Sequence, residues 1–300
     1  MNILAFDIGG TFIKYGWIKD NGDIIKASKV KTPRESLESL LDVIEKIYKE
    51  SEVEVKGLTF SIPGIVDVEK GYIFNGGSLQ YNNETYFASK VEERIKLPVT
   101  IENDARCAAL AEIWHGKMKD IDAGIVMVLG TGVGGSLIKD GKLHKGRHLF
   151  SGEFSYMLTR DLKTYGLAAC FGEQGSIVRL VERIGHAIGK SNIDGVEAFK
   201  YISEEDDRVL PIFQSYLKDL ALQIYNLQAI YDPTLICIGG GASKQDILID
   251  GIRSALTSLY DSIPVKMTRA KIQRCKYSND SNLIGAVYNF INLRGIKNGL

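Results

Sequence analysis

An α/β fold made of two copies of one unit is what the sequence predicts, on three observations. Residues 3 to 6 are apolar, Asp7-Ile8-Gly9-Gly10-Thr11 interrupts them, and Phe12 to Lys19 resumes an extended pattern that ends at Asp20-Asn21-Gly22-Asp23. That is a strand, a tight glycine turn and a second strand. Gly124 to Leu143 repeats it, with Gly130-Thr131-Gly132 at the turn and Ile138-Lys139-Asp140-Gly141 echoing Ile18-Lys19-Asp20-Asn21-Gly22. Both halves then run on as alternating strands and helices, which favours one α/β architecture over separate sheet and bundle domains.

Each element has its own signal. Leu37, Leu40, Leu41, Ile44 and Ile47 share one face of a helix spanning Leu37 to Tyr48, and Val55 to Ile62 is the next buried strand. Val99 to Glu102 is a strand that delivers Asn103-Asp104 at its carboxyl end, and Ala105 to His115 is a helix. In the second half Phe213 to Tyr231 is a long helix and Leu235 to Ile238 a short apolar strand. Gly239-Gly240-Gly241 turns into a helix beginning near Ser243, and Leu283 to Leu293 closes the chain as a helix. The junction falls within Gly116 to Asp122 with no low-complexity linker. Residues 1–118 are expected to form an N-terminal α/β domain, joined by the terminal helix over 283–294, and residues 119–282 a C-terminal α/β domain.

Composition narrows the function. The chain has 300 residues, 45% of them hydrophobic and 25% charged, which excludes disorder and a fibrous fold. Lys plus Arg and Asp plus Glu both number 37, so no large cationic field exists to hold nucleic acid or an anionic membrane, and neither is an expected partner. Cys107, Cys170, Cys237 and Cys275 are far apart with no CxxC pair, which reads as reduced, mostly buried thiols. Met1 to Phe6 enters a strand directly, with no basic region or cleavage site, and no 18-residue apolar run occurs. A cytoplasmic location is expected.

Glycine lets a backbone approach a phosphate closely and turn its N–H groups toward it. Taken alone, Asp7 to Thr11 is more often a plain hairpin turn, because Gly-Gly is also a common turn dipeptide. Two such turns in duplicated hairpins, with Thr11 and Thr131 beside them, plus Gly239 to Gly241 ending a strand, fit three loops on one polyphosphate. No GxxxxGK[ST] occurs, and no glycine run sits in the strand-GxGxxG-helix setting of dinucleotide sites. Asp7 beside phosphates needs an intervening cation, and magnesium reached through water is the natural one. Asn103-Asp104 at a strand-to-helix junction is by itself a helix cap, and Glu153 by itself a surface carboxylate.

In combination these residues carry a resemblance. Asp7-Ile8-Gly9-Gly10-Thr11 with Lys14, Ser61-Ile62-Pro63-Gly64, Glu102-Asn103-Asp104-Ala105, Gly130-Thr131-Gly132-Val133-Gly134-Gly135, Ser151-Gly152-Glu153 and Gly239-Gly240-Gly241 stand in the order of the ROK family of sugar kinases. The chain resembles that family over nearly its whole length. The resemblance implies an actin-like, hexokinase-like ATPase fold of ribonuclease H-like units: two duplicated α/β domains with a central cleft. It implies ATP with magnesium as cofactors, a sugar hydroxyl as acceptor and a homodimer. By it Asp104 is the general base, and Gly64, Asn103, Asp104, Glu153 and Tyr156 contact the sugar. Asp7, Gly9, Gly10, Thr11, Lys14, Thr131, Gly132, Gly134, Gly239, Gly240 and Gly241 hold the nucleotide, with Asp7 on the magnesium. A hydroxyl attacking a γ-phosphoryl group loses its proton, so a carboxylate within reach agrees with that chemistry. The helix-turn-helix that ROK repressors carry ahead of this unit is not expected, since Asp7 stands only six residues from the start.

The chain departs from the family where most members bind a structural zinc through a His and three Cys. Tyr156 stands at the His, and Ala169, Phe171 and Ser176 at the thiolates, with Cys170 off register by one, so no zinc is expected. Tyr156, and Val178 at the position of a sugar-binding Glu, make the reducing-end side of the pocket less polar, which removes a penalty on a sugar lacking a free 1-hydroxyl. Gly152-Glu153-Phe154-Ser155-Tyr156-Met157 and Gly285-Ala286-Val287-Tyr288 are similar to zinc-free members of the β-glucoside kinase type, which phosphorylate the 6-hydroxyl of a glucoside such as cellobiose. Glucokinase, N-acetylmannosamine kinase and a sugar-sensing regulatory protein stay open as alternatives.

Overall fold

The computed structural model describes residues 1–269 and 271–295. Contacts divide the chain into two compact units. One comprises Met1–Gly116, Lys145–Phe150 and the residues from Asp280 on, and the other comprises Lys117–His144 and Ser151–Asn279. This division differs from the expected one chiefly at residues 145–150, which return to the first unit because buried side chains there hold them, as described below.

In the first unit β1 (Asn2–Ile8), β2 (Phe12–Lys19) and β3 (Ile24–Lys31) form an antiparallel meander. α1 (Leu37–Lys49) begins at Ser36, whose hydroxyl accepts the Ser39 N–H at 3.1 Å, and it buries Leu40, Leu41, Ile44 and Ile47. β4 (Leu58–Ile62) returns parallel to β1, and a short hairpin of β5 (Ile65–Asp67) and β6 (Tyr72–Asn75) leaves its end. α2 (Phe87–Ile95), β7 (Val99–Asn103) and α3 (Asp104–His115) complete the run. The sheet order is β3-β2-β1-β4-β7. Phe6 and Phe60 stack across neighbouring strands in its core, 4.8 Å between centroids. The terminal helix over Ser281–Leu293 covers this sheet: Thr59 Oγ1 donates to the Ala286 carbonyl at 2.9 Å, and Asn289 Nδ2 to the Ile101 carbonyl at 3.2 Å.

In the second unit β8 (Ala123–Leu129), β9 (Val133–Lys139) and β10 (Lys142–His144) repeat the meander. There follow α4 (Leu162–Tyr165), α5 (Phe171–Gln174), α6 (Ile177–Ala187), α7 (Gly195–Ser203), α8 (Leu210–Tyr231), β11 (Leu235–Gly239), α9 (Asp246–Asp261) and β12 (Lys271–Arg274). The order is β10-β9-β8-β11-β12, matching the first sheet strand for strand and direction for direction. Duplicated sequence has become duplicated topology. The helix expected near Ser243 starts at Asp246, because Ser243 N–H and Oγ both turn back to the Gly240 carbonyl, at 3.1 and 2.8 Å, in a preceding single turn. The strand expected from Val55 begins at Leu58. All four cysteines are free thiols, and Cys107, Cys237 and Cys275 are buried. Among the described residues no helix is long and apolar enough to cross a membrane.

Candidate active site

In each sheet three adjacent strands run parallel, so their carboxyl ends, and the loops that leave them, gather along one edge. In the first unit this puts Asp7, Ser61 and Glu102 on neighbouring rungs, with Asn103-Asp104 one step beyond. Asp7 is held in place: its Oδ1 accepts from Ser61 Oγ at 3.0 Å and from Asn282 Nδ2 at 2.9 Å, while Lys14, opposite it on β2, brings its Nζ to 3.8 Å from Oδ2. The turn Gly9–Thr11 is pinned by the residue just after β3, since Thr32 Oγ1 donates to the Gly9 carbonyl at 2.7 Å and Thr32 N–H to the Thr11 carbonyl at 3.0 Å.

Asn103 caps α3, its Oδ1 accepting the Arg106 N–H at 3.1 Å, and its Nδ2 donates to the Gly64 carbonyl at 2.9 Å. Asn103 also hydrogen-bonds the Asp104 side chain, which leaves one lone pair on its Oδ1. Gly64 is required there, because its φ of +98° disfavours any side chain and a Cβ would stand 1.8 Å from the Asn75 carbonyl oxygen. Asp104 opens α3 and accepts the Ala105 N–H at 2.8 Å. The helix N-terminus and these hydrogen bonds favour its ionised form, yet burial, assisted by the charge of Asp7, outweighs them and raises its pKa from 3.8 to about 6. A carboxyl poised near neutrality is suited to accept a proton and release it again.

Glu102 is fully buried. Its Oε2 lies 2.5 Å from Lys145 Nζ, its Oε1 lies 3.9 Å from Arg106 Nη1, and Arg106 Nη2 donates to the Leu149 carbonyl at 2.6 Å. These contacts, made by ends of β7 and α3, draw residues 145–150 into the first unit. Arg106 and Lys145 carried no sequence signal of this, and neither did Asn282, which meets Asp7 across 275 positions of chain.

In the second unit the other two glycine loops come together at the ends of β8 and β11. Gly240, at φ +91°, lies so close to β8 that a Cβ would stand 2.1 Å from the Leu129 carbonyl oxygen. Thr131 is exposed at its turn, and the Gly130 carbonyl is taken by the Ile177 N–H at 3.0 Å. Gly134 lies on β9 rather than in the turn, paired with Val128. Glu153 precedes, and Tyr156 ends, a single turn fixed to β9: the Phe154 ring packs where a Gly135 side chain would be, and Ser155 Oγ accepts the Val133 N–H at 2.9 Å and donates to its carbonyl at 3.1 Å. Tyr156 is thereby held 56% exposed. Ala169 and Phe171, at the thiolate positions of the resemblance, are wholly buried in this unit's core, and among the described residues no group of three His, Cys, Asp or Glu is placed to hold a metal.

The first unit thus presents a fixed carboxylate beside a glycine turn and a carboxyl of raised pKa beside an amide, and the second a pair of glycine loops and a carboxylate-tyrosine turn. Residues 3–292 match the ROK family. A β-glucoside kinase of Listeria monocytogenes is 30% identical over 296 residues, which cover 97% of this chain and 98% of that protein. An N-acetyl-D-glucosamine kinase of Erwinia tasmaniensis is 29% identical, with 95% of this chain and 97% of that protein covered. The crystal structure of a ROK family protein from Streptococcus pneumoniae TIGR4 in complex with sucrose superposes with a TM-score of 0.88 at 29% identity, covering 98% of this chain and 99% of that one.

Proposed function

This chain belongs to the ROK family, and from that footing we propose that it phosphorylates the 6-hydroxyl of a β-glucoside of the cellobiose type. It is an ATP-dependent carbohydrate kinase with the duplicated, hexokinase-like α/β fold of its relatives. The observation that carries the acceptor chemistry is Asp104: a carboxyl raised to about 6 at the start of α3, beside the Asn103 amide that holds the Gly64 carbonyl. Asp104 takes the proton of the attacking hydroxyl, Asn103 and the Gly64 backbone orient the sugar ring, and Glu153 accepts from further hydroxyls.

The donor sets suit the nucleotide. Gly10 with Thr11, Thr131 with Gly132, and Gly240 with Gly241 are the turn residues whose backbone N–H groups would face a phosphate, Gly240 being one that a Cβ would drive into the Leu129 carbonyl, and Lys14 adds a cation. Asp7 is a single hard carboxylate, which together with phosphate oxygens is the kind of set magnesium takes, and it would hold that ion through water. Magnesium, when bound, neutralises the negative charge of the phosphates. Zinc has no part in this reading, since alanine and phenylalanine supply no ligand.

Tyr156 supports the β-glucoside over free glucose, because a half-exposed phenol ring stands where most of the family carry a histidine that pairs a 1-hydroxyl. The Erwinia relative favours an N-acetylhexosamine as the second reading. ADP release measured with cellobiose, an aryl β-glucoside, glucose, N-acetylglucosamine and N-acetylmannosamine decides between them. The largest kcat/KM is expected for a glucoside, and an N-acetylhexosamine in first place overturns that choice.

A further inference from the structure

The hairpin β5–β6 and the segment 145–149 enclose a cavity of 680 Å³ within the first unit, its walls including Ile65, Phe74, Lys145, Arg147, His148 and Leu149. Its size is that of a small-molecule cleft. Three residues around Asp104 hold the walls. Asn103 Nδ2 bonds the carbonyl of Gly64, the residue before Ile65, at 2.9 Å. Glu102 grips Lys145 at 2.5 Å, and Arg106 grips the Leu149 carbonyl at 2.6 Å. The cavity therefore hangs from the same strand end and helix start that present the carboxyl of Asp104.

Building on the kinase reading above, we propose that this cavity receives the part of the substrate beyond the phosphorylated glucosyl ring: a second hexose or an aryl group joined through a β-glycosidic oxygen. The wall chemistry matches that occupant. Phe74 is 47% exposed and steadied edge-on by Tyr72 at 4.9 Å, which makes it a platform for the C–H face of a sugar or for an aryl ring. Arg147 and His148 are exposed and carry donors for hydroxyls. Asp67 and Glu69 also line it, acceptors for further hydroxyls, with Asp67 paired to Lys70 at 3.1 Å. An apolar ring beside polar donors suits a carbohydrate or phenol better than a lipid or an anion alone.

The test uses the full chain and two surface substitutions, Phe74→Ala and His148→Ala, neither of which removes a buried group. The readout is kcat/KM for cellobiose divided by kcat/KM for glucose. Loss of the aromatic platform is expected to lower that ratio about tenfold in Phe74→Ala. A ratio within about twofold of the parent in both variants overturns the assignment. Failure of the kinase reading shows differently, as a parent that releases no ADP with any sugar. Calorimetric affinities for cellobiose and glucose, measured on the same three proteins, then decide the cavity alone: the parent is expected to prefer cellobiose and Phe74→Ala to lose that preference, and equal affinities in the parent overturn it.

Discussion

Asp104→Asn separates two demands that the fold places on one carboxylate. The rise of its pKa from 3.8 to about 6 corresponds, at about 1.4 kcal/mol per pH unit, to about 3 kcal/mol by which the ionised form burdens the folded state. Between those two pKa values the folded chain keeps a proton that the unfolded chain has lost, so stability falls as pH rises through that window, and the whole penalty stands above it. Well below pH 4 both states carry the proton and the penalty vanishes. Asparagine keeps the shape, and its Oδ1 accepts the Ala105 N–H, now 2.8 Å from the carboxylate, without the charge. The variant is therefore expected to gain up to about 3 kcal/mol at pH 8, less whatever solvent already screens, and little at about pH 4. Its turnover is expected to fall by roughly two orders of magnitude or more. Urea unfolding at the two pH values, with ADP release at pH 8, measures both. A variant no more stable than the parent at pH 8, or one with near-parental turnover, reduces Asp104 to a helix cap and refutes the reasoning.

Three other outcomes follow from particular residues. Gly240→Ala forces a side chain into φ +91° and against the Leu129 carbonyl, and is expected to cost about 3 kcal/mol in urea unfolding; a cost under about 1 kcal/mol, within the range of ordinary surface changes, contradicts the packing described. Tyr156→His is expected to move preference toward free glucose, because an imidazole pairs a 1-hydroxyl and is left unpaired by a glycosidic ether, a difference of about 1–3 kcal/mol; an unchanged ratio of kcat/KM for cellobiose and glucose makes Tyr156 scaffold. The purified protein is expected to carry no stoichiometric zinc, and metal analysis finding one per chain would overturn the reading of Ala169, Phe171 and Ser176.

What could be read from the sequence was whatever depends on local backbone chemistry. The glycine turns at 9–10 and 130–132 announce themselves because they interrupt apolar strands in the same way in both halves of the chain. The helix over 37–49 shows in its 3–4 spacing, and Asn103-Asp104 stands where a strand must give way to a capped helix. Elements held by distant partners stayed hidden. β5 and β6 have three and four residues, too few for a period, and in β12 only Ile272 is buried. Asn282 reaches Asp7 only after the terminal helix folds back on the first sheet. Residues 145–150 follow β10 without a break in composition, and what draws them to the first unit is the buried charge of Glu102, whose need for a cation shows only once β7 is covered.

In the proposed reaction a primary hydroxyl of a glucoside receives the γ-phosphoryl group. Proton-coupled phosphorus NMR of the protein with cellobiose, ATP and magnesium tests it directly, because an ester at C6 couples to a pair of protons and one on a ring carbon to a single proton. A new triplet, correlated to the non-reducing ring, is expected to grow as ATP is consumed, and to grow far more slowly with Asp104→Asn. A doublet in its place, or intact ATP with no new phosphate ester, contradicts it.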